Sequence, residues 1–346
     1  MLTIREHQPL APLTTFGIGG PARYFAVIDT EQDIPEALAW AEDRGLPLFI
    51  LGGGSNLLVS DRGFDGLVLQ IGLRGVIQDK PLSPDFMVWA GEPWDKFVDQ
   101  AIDANCAGIE CLAGIPGSTG GTPVQNVGAY GQEVSQTIRQ VRVYDRVERS
   151  FRWLSNDECG FRYRQSIFNT TARGRYIVTA VVFLLHYGEP NLSYDDLQKR
   201  FEGRGTKPKL REVAEAVRDI RRSKGMLIVS GDPDCRSAGS FFKNPIVTAD
   251  ALPRIAQALS IDATTIPHWP AADGQIKLPA AWLLEHAGFT KGFTDGAAGI
   301  SSRHTLALIN RGNATFADIE RLQNRIIATV RDRFGITLER EPVLVG

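Results

Sequence analysis

The chain has 346 residues, of which 43% are hydrophobic and 23% charged, and this length allows two or three globular domains without a structural metal or disulfide. A formal net charge of −2 excludes a global electrostatic field that would recruit nucleic acid or an anionic membrane. Because the sequence has no run of 18 apolar residues, no signal-peptide pattern and no Cys/His spacing for zinc, we expect a cytoplasmic protein with reduced thiols and no metal.

The N-terminal part of the chain alternates predicted strands with predicted helices. Short apolar and β-branched runs predict strands at 24–28, 47–51, 67–71, 139–144 and 176–186. Apolar residues at helical spacing predict helices at 31–44 and 92–105. This order of elements around non-local strands predicts an α+β fold.

From about residue 190 the sequence becomes richer in charged, helical segments. Helices are predicted at 194–201, 209–222 and 280–287, and a strand at 304–310. The last helix is the best defined, because Thr315 and Asp318 match a capping box. Its apolar stripe comprises Phe316, Ile319, Leu322, Ile326 and Val330. The change in character predicts a domain boundary at 200/201, and we place a further split of the first region near residue 72.

The first glycine cluster, GIGGPA at 17–22, matches the dinucleotide-binding pattern GxGxxG/A. That pattern requires a strand before the glycines and a helix that begins at them. Here the preceding residues contain a proline and no strand pattern, and Pro21 precedes a predicted strand. We therefore interpret this cluster as a structural turn.

The second cluster, GGGSN at 52–56, directly follows a predicted buried strand. Consecutive flexible residues can form a nest whose backbone N–H groups point at one anion, and Ser55 and Asn56 add side-chain donors. No lysine follows, so the segment is not a P-loop. The pattern indicates phosphate binding.

The third cluster, at 114–131, contains six glycines and two prolines. Proline fixes φ where glycine leaves it free, so this combination is typical of a shaped loop rather than a flexible linker. Gln125, Asn126 and Tyr130 place polar groups on that loop. The segment therefore indicates a second ligand-binding loop.

Two glycine loops without a dinucleotide fingerprint resemble the FAD-binding domain of the vanillyl-alcohol-oxidase class. Six motifs in this order resemble the UDP-N-acetylenolpyruvoylglucosamine reductase family, and the resemblance extends from about residue 12 to 346. The motifs are TFGIGG at 15–20, LGGGSNLL at 51–58, IPGSTGGTPVQNVGAYG at 115–131, FRYRQS at 161–166, GSFFKNP at 239–245 and LERE at 338–341. The segment LSYDDL at 192–197 resembles the tyrosine-bearing loop of the type I subfamily.

The resemblance implies an FAD-dependent oxidoreductase that uses NADPH to reduce the enolpyruvyl group of a UDP-sugar, a step in peptidoglycan synthesis. It implies noncovalent FAD, NADPH as co-substrate and no partner other than small molecules, and we expect a monomer. Residues 1–200 would form the FAD-binding region and residues 201–346 the substrate-binding domain, with 336–346 returning to the active site.

Three catalytic residues follow from the resemblance. Ser240 would donate a proton to C2 of the substrate, Arg164 would bind the enolpyruvyl carboxylate, and Glu341 would act as an acid. Arg162 and Glu339 are the alternatives: on a strand, each would share a face with the residue two positions later. Only the register of the motifs favours Arg164 and Glu341.

The resemblance also implies two sets of binding residues. The FAD-binding residues would be Gly52, Gly53, Gly54, Ser55, Asn56, Leu57, Pro116, Gly117, Ser118, Gly121, Asn126 and Gly128. The substrate-binding residues would be Tyr130, Tyr163, Tyr194, Lys224, Asn244 and His304.

Other classes of protein remain as alternatives. One is another flavin oxidase of the same FAD-binding fold, acting on a sugar or alcohol. Another is a non-catalytic UDP-sugar binding protein, which would purify colourless and would not need Glu341. A serine hydrolase that uses Ser240 is disfavoured, because GSFF is not the GxSxG sequence of a nucleophile elbow.

Overall fold

The computed structural model describes residues 2–80 and 83–346, which divide into two compact units. Unit 1 comprises Met1–Gln8, Ala22–Gly54 and Asp65–Arg222. Unit 2 comprises Pro9–Pro21, Ser55–Phe64 and Ser223–Gly346. Each unit therefore combines segments that are distant in the sequence, and the second glycine cluster lies where the chain passes from unit 1 to unit 2.

The described residues form seven α-helices and a larger number of strands, most of which are short. The helices are α1 (Asp33–Glu42), α2 (Trp94–Asp103), α3 (Asp195–Phe201), α4 (Leu210–Ser223), α5 (Ala251–Leu259), α6 (Ala280–His286) and α7 (Phe316–Phe334). The first strands are β1 (Arg5–Pro9), β2 (Pro21–Ile28), β3 (Leu48–Leu51), β4 (Leu57–Val59), β5 (Phe64–Ile71), β6 (Val76–Gln78), β7 (Asp85–Trp89), β8 (Cys106–Ala107), β9 (Gly128–Ala129), β10 (Gln132–Glu133), β11 (Ile138–Asp145) and β12 (Ser150–Ser155). The others are β13 (Tyr176–Leu184), β14 (His186–Tyr187), β15 (Ile246–Val247), β16 (Trp269–Pro270), β17 (Ile276–Lys277), β18 (Thr294–Asp295), β19 (Ala298–Ile300), β20 (Leu308–Asn310) and β21 (Val343–Val345).

Unit 1 is built on two main sheets. The first has the strand order β1-β2-β5-β3, with β3 parallel to β5, and the second has the order β12-β11-β13-β7-β6, in which neighbouring strands are antiparallel. The predicted split near residue 72 lies between the last strand of the first sheet, which ends at Ile71, and β6 of the second. Central strand β13 is buried on both faces, which explains its nearly continuous apolar sequence.

Helix α2 covers the second sheet and supports the third glycine cluster. Its buried face has the helical spacing of Trp94, Phe97, Val98 and Ala101. The indole Nε1 of Trp94 donates a hydrogen bond to the carbonyl of Leu112 at 3.0 Å. This bond fixes the backbone just before the cluster, so the loop starts from a rigid position.

Helix α4 belongs to the core of unit 1. Leu210, Val213, Ala214 and Val217 are buried in the same hydrophobic cluster as the five-stranded sheet. The compact units therefore change at residue 222, whereas the sequence placed the boundary at 200/201. The apolar stripe of α4 is the physical reason, because burying it against unit 1 removes it from water.

Unit 2 packs α5, α6 and α7 with the short sheet β18-β19-β20 around its own core. The capping box at the start of α7 is confirmed: Thr315 Oγ1 accepts from the backbone N–H of Asp318, whose carboxylate accepts from the N–H of Thr315. Helix α7 ends at Gly335, which has φ 69°. Four of the five residues of the predicted apolar stripe are buried, namely Ile319, Leu322, Ile326 and Val330, and Phe316 is half-buried.

The end of the chain is fixed by pairing. Strand β21 is parallel to β4, with Val343 opposite Leu57, and the N–H of Val343 donates to the carbonyl of Asn56 at 2.9 Å. Chain ends are ordered when they are tied down in this way. The last residues therefore lie beside the second half of the GGGSN segment within unit 2.

Two local predictions have a clear outcome. Strand β2 begins at Pro21 and no helix begins at the first glycine cluster, which agrees with its interpretation as a turn. The predicted strand at 304–310 is wrong for its first half, because only Leu308–Asn310 is a strand. The residues before it form a turn in which Ser301 Oγ accepts from the N–H of Arg303 and of His304.

Candidate active site

The second and third glycine clusters contact each other backbone to backbone in unit 1. A Cβ atom added to Gly53 would lie 2.5 Å from Gly117 Cα, and one added to Gly52 would lie 2.8 Å from Ser118 Oγ. Gly117 has φ 126°, a conformation that side chains rarely adopt. Gly53 and Gly117 are thus required by geometry, whereas the neighbour of Gly52 is a side-chain hydroxyl that could move.

Two observations on these loops fit a polar cofactor group. Ser118 Oγ is buried and has no hydrogen-bond partner among the described residues. Such a hydroxyl costs about 1–3 kcal/mol unless something satisfies it. A Cβ atom added to Gly121 would have no neighbour within 4 Å, so the backbone there is open to an incoming group. Donors on close-packed backbone are the arrangement that a pyrophosphate requires.

Asn126 has a different position from the rest of the predicted cofactor set. Its side chain donates to Glu133 at 2.8 Å and to the carbonyl of Arg162 at 3.1 Å, and it accepts from the N–H of Ser135 at 3.1 Å. Its backbone is in the left-handed region, with φ 45°. The side chain of Asn126 therefore shapes the loop through bonds within the protein.

Arg164 lies in a tight turn rather than on a strand. Arg162 and Gln165 exchange two backbone hydrogen bonds of 3.0 Å, and Arg164 has φ 55°. The expectation that Arg162 and Arg164 share a face is therefore wrong, because the chain reverses between them. Arg164 Nη2 donates to the carbonyl of Gly128 at 2.8 Å, and its guanidinium lies 5.1 Å from the centre of the Tyr163 ring. The turn thus ties Arg164 and Tyr163 to the third glycine cluster.

Tyr130 and Tyr194 contact each other in unit 1. Their ring centres are 5.2 Å apart in an edge-to-face arrangement, with Tyr130 buried and Tyr194 38% exposed. Arg221, which the sequence analysis missed, is buried and donates from Nε to the carbonyl of Gly114 at 2.9 Å. Burial lowers the pKa of the Arg221 guanidinium, and Tyr130 opposes that shift. A buried cation therefore supports this end of the loop.

The base of the Tyr194 segment is held by a buried carboxylate. Glu110 is fully buried and accepts from the N–H of Asn191 at 2.8 Å, from Gln132 at 2.9 Å and from the N–H of Gly108 at 2.7 Å. Three donors compensate the cost of burying this charge. The segment that carries Tyr194 is consequently anchored at Asn191 and more exposed beyond it.

Ser240 lies in unit 2 next to His304. Ser240 Oγ is 3.4 Å from His304 Nε2, and the N–H of Phe241 donates to the carbonyl of Leu306 at 2.8 Å. Burial, together with the positive charges of Lys224 and Lys291, lowers the pKa of His304 to about 4. The imidazole beside Ser240 is therefore neutral at physiological pH.

Glu339 and Glu341 have different surroundings. The Glu339 carboxylate pairs with Lys243 at 3.3 Å, and its side chain is 75% exposed. Glu341 is half-buried, its N–H donates to the carbonyl of Phe241, and its carbonyl accepts from Asn56 Nδ2 at 3.4 Å. Unit 2 thus brings Asn56, Glu341 and the Ser240 segment together, whereas Glu339 faces outward.

Lys224 and Asn244 are also in unit 2, and neighbouring residues determine their positions. Lys224 follows α4, and the chain then turns at buried Gly225, which has φ 64° and packs near Asp234. Asn244 Oδ1 accepts from the N–H of Ala280 at 2.9 Å, which fixes the direction of its amide. The sequence analysis gave no role to Asp234, although it holds the turn before His304 by accepting from Ser302 Oγ at 2.7 Å.

Comparison with known proteins connects these features to a family. The family models "FAD binding domain" and "UDP-N-acetylenolpyruvoylglucosamine reductase, C-terminal domain" match residues 22–149 and 232–345. A UDP-N-acetylenolpyruvoylglucosamine reductase from Thermobifida fusca is 45% identical over 99% of this chain and 98% of the relative. The chain belongs to the UDP-N-acetylenolpyruvoylglucosamine reductase family.

Other members of the reductase family agree over the same length. The reductase from Streptomyces coelicolor is 45% identical over 98% of this chain and 89% of the relative. The crystal structure of the reductase from Thermus caldophilus covers 100% of this chain and 99% of its own, with 25% identity and a TM-score of 0.68. These comparisons confirm the predicted family, the α+β fold and the FAD-binding domain.

No helix among residues 2–80 and 83–346 is long and apolar enough to cross a membrane. In the same part of the chain, no group of three or more His, Cys, Asp or Glu residues is arranged to hold a metal ion.

Proposed function

We propose that this chain catalyses the NADPH-dependent reduction of UDP-N-acetylglucosamine enolpyruvate to UDP-N-acetylmuramate, with noncovalent FAD, in cytoplasmic peptidoglycan synthesis. The observation that carries this proposal is the 45% identity, over 99% of the chain, to a UDP-N-acetylenolpyruvoylglucosamine reductase. The match of residues 22–149 to an FAD-binding domain supports the choice of cofactor.

The glycine loops would hold the cofactor. Bound FAD supplies hydride transfer, from NADPH to the enolpyruvyl group. Buried Ser118 Oγ and the backbone N–H groups of the loops would bind its polar part, and Gly121 would leave room for it. Asn126 would act by shaping the loop, since its side chain bonds to the protein. The remaining contacts would come from Gly52, Gly53, Gly54, Ser55, Asn56, Leu57, Pro116, Gly117 and Gly128.

Arg164 would bind the enolpyruvyl carboxylate. Its planar fork can hold both carboxylate oxygens and stabilise negative charge that spreads from C2 during reduction. The hydrogen bond to the carbonyl of Gly128 and the stacking on Tyr163 support this role, because they restrict the guanidinium before substrate arrives.

Ser240 would donate the proton that C2 requires, and Glu341 would assist as an acid. Glu341 is the better candidate than Glu339, because Glu339 is exposed and pairs with Lys243. The UDP group would be bound by Tyr130, Tyr163, Tyr194, Lys224, Asn244 and His304. Lys224 is the cation in this set, and Tyr194 would cover the ligand from its exposed segment.

The purified protein should be yellow and should release FAD into the supernatant after acid precipitation. It should oxidise NADPH beyond one equivalent per flavin only when the enolpyruvyl UDP-sugar is added, which absorbance at the nicotinamide band measures. A colourless protein that FAD does not reconstitute would sink the whole proposal, whereas flavin left on the precipitated polypeptide would overturn noncovalent attachment. Oxygen consumption with a sugar or alcohol and without NADPH would favour the alternative oxidase.

The Tyr194 segment should become less sensitive to protease when substrate is present. Asn191 is anchored by Glu110, while Tyr194 is 38% exposed and rests on Tyr130. Binding of the UDP-sugar should order the segment from Asn191 to Asp196, so limited proteolysis should slow there. Equal cleavage with and without the UDP-sugar would count against a covering role, and cleavage elsewhere in the chain serves as the internal control.

A further inference from the structure

His304 has a contact that a role in binding UDP does not explain. Its Nε2 is 3.4 Å from Ser240 Oγ, although the two residues are 64 positions apart. Hydrogen bonds fix both sides of this contact: the N–H of Phe241 donates to the carbonyl of Leu306, and the N–H of His304 donates to Ser301 Oγ. Arg303 is held in turn by ion pairs with Asp232 and Asp234. The imidazole is therefore presented to the serine by a rigid turn.

The protonation state of the ring limits what it can do. The charged groups that act on it are Lys224 and Lys291, which lower its pKa together with burial, and Glu285, which opposes them. With a pKa of about 4, the ring at neutral pH carries a single N–H. If that hydrogen is on Nδ1, Nε2 accepts the serine hydrogen and draws it away from substrate. If it is on Nε2, the ring donates to Ser240 Oγ and leaves the serine hydrogen for another acceptor.

We propose that His304 is a positioning residue for the proton donor: its Nε2–H donates to Ser240 Oγ and so directs the hydroxyl hydrogen to C2 of the substrate. This inference rests on the proposed role of Ser240 in the reductase reaction. When the Ser240 O–H bond breaks, its hydrogen forms the new bond to C2 and the electron pair stays on Oγ. The His304 N–H stabilises that negative oxygen, and water later returns a proton to it.

A bond of this kind is worth more in the transition state than in the ground state. In the ground state the imidazole donates to a neutral hydroxyl, whereas during proton transfer it donates to an oxygen that becomes negative. His304 therefore should affect the step in which the enolpyruvyl group is protonated. It should leave the reaction of NADPH with the flavin unchanged, because no proton leaves Ser240 in that step.

The first test compares four variants by stopped-flow absorbance of the flavin. His304→Phe should slow flavin reoxidation by substrate about 10- to 100-fold, the range expected when a hydrogen bond to a developing charge is lost. His304→Gln should recover most of that rate, because its amide supplies an N–H without titrating. In the Ser240→Ala background, His304→Phe should have no further effect. His286→Gln is the control, since His286 bonds to the carbonyl of Trp282 in its own helix.

The second test measures the tautomer directly. In protein labelled with ¹⁵N-histidine, the NMR signal of His304 is the one that disappears in His304→Gln. That signal should show a hydrogen on Nε2 and none on Nδ1. It should also show that the ring does not gain a second proton between pH 5.5 and 8. A hydrogen on Nδ1 would overturn the inference. The inference would also fail if His304→Phe slowed flavin reoxidation equally in the wild-type and Ser240→Ala backgrounds, because that would indicate a separate contact of His304 with substrate.

The outcomes separate this inference from the proposed function. If Ser240→Ala slows reoxidation and His304→Phe does not, the positioning role fails while the role of Ser240 stands. If neither variant slows reoxidation, both fail. Reoxidation rates are compared at saturating substrate, so that weaker binding of the UDP-sugar in His304→Phe, which the proposed contact of His304 with UDP would produce, does not contribute to the slowing.

Discussion

Ser240→Ala should leave flavin reduction by NADPH near the wild-type rate and slow flavin reoxidation by the enolpyruvyl substrate by about 10²- to 10⁴-fold, the usual cost of removing a general acid. The two half-reactions differ because only the second requires a proton at C2. The side chain of Ser240 is half-buried, and its hydroxyl contacts His304 at 3.4 Å. Alanine therefore removes one hydroxyl and leaves the fold of the loop intact.

Stopped-flow absorbance of the flavin measures each half-reaction separately. Ser240→Cys should retain part of the reoxidation rate, because a thiol can also donate a proton. Ser237→Ala is the matched control: it removes a hydroxyl from the same loop, where Ser237 Oγ accepts from the N–H of Gly239 at 3.3 Å. Its reoxidation rate should stay within a few-fold of wild type.

Equal slowing of both half-reactions in Ser240→Ala would assign the serine a structural role. The proton donor would then have to be Glu341 or a bound water. Slowing in Ser237→Ala as large as in Ser240→Ala would also contradict the proposal, because it would attribute the effect to the shape of the loop rather than to the lost proton.

Regular elements with a periodic apolar face were predictable from the sequence. Helices α2 and α7 bury residues at helical spacing, and the capping box of α7 involves neighbours three residues apart. Such local signals determine the element directly. The buried strand β13 was predictable for the same reason, since its apolar run spans the centre of a sheet.

The surroundings of the candidate catalytic residues were not predictable, because they depend on contacts between distant segments. The contact of Ser240 with His304 joins residues 64 apart, and the difference between Glu339 and Glu341 depends on Lys243 and Asn56. Family motifs indicated the candidate residues but not which of their atoms contact each other.

Local conformation misled the sequence analysis in two turns. Arg162 and Arg164 would share a face if their segment were a strand, but the chain reverses direction there, with φ 55° at Arg164. The segment from His304 reads as a strand, but the hydroxyl of Ser301 bonds to nearby backbone N–H groups and forms a turn. Side chains that compete for backbone hydrogen bonds can replace a strand by a turn, and a hydropathy pattern gives little indication of this.

Gly53→Ala should lose FAD. The added Cβ atom would lie 2.5 Å from Gly117 Cα and 2.7 Å from Ser118 N. Because both are backbone atoms, a change of side-chain rotamer cannot relieve the clash. The two glycine loops would have to separate, and the N–H groups that we propose to bind FAD would separate with them. We expect the variant to purify colourless, with FAD affinity reduced at least 100-fold, because a separation of about 1 Å is enough to lose positioned hydrogen bonds.

Gly121→Ala distinguishes damage to the loops from occupation of the cofactor space. Its Cβ atom would meet no protein atom within 4 Å, so the melting temperature of the FAD-free protein should be unchanged. If FAD occupies that space, its affinity should still fall. Gly205→Ala is the control, because its Cβ atom would also meet nothing and Gly205 lies outside the glycine clusters; both its stability and its FAD affinity should match wild type.

Thermal unfolding of the FAD-free proteins and fluorescence titration with FAD give the two quantities for each variant. Gly53→Ala should lower the melting temperature as well as the affinity, since its clash exists without cofactor and overpacking costs about 1–3 kcal/mol. Gly121→Ala should lower the affinity alone. Wild-type FAD affinity in Gly53→Ala would show that the contact between the two loops is not part of the cofactor site, and wild-type affinity in Gly121→Ala would show that FAD binds away from the open face of the loop.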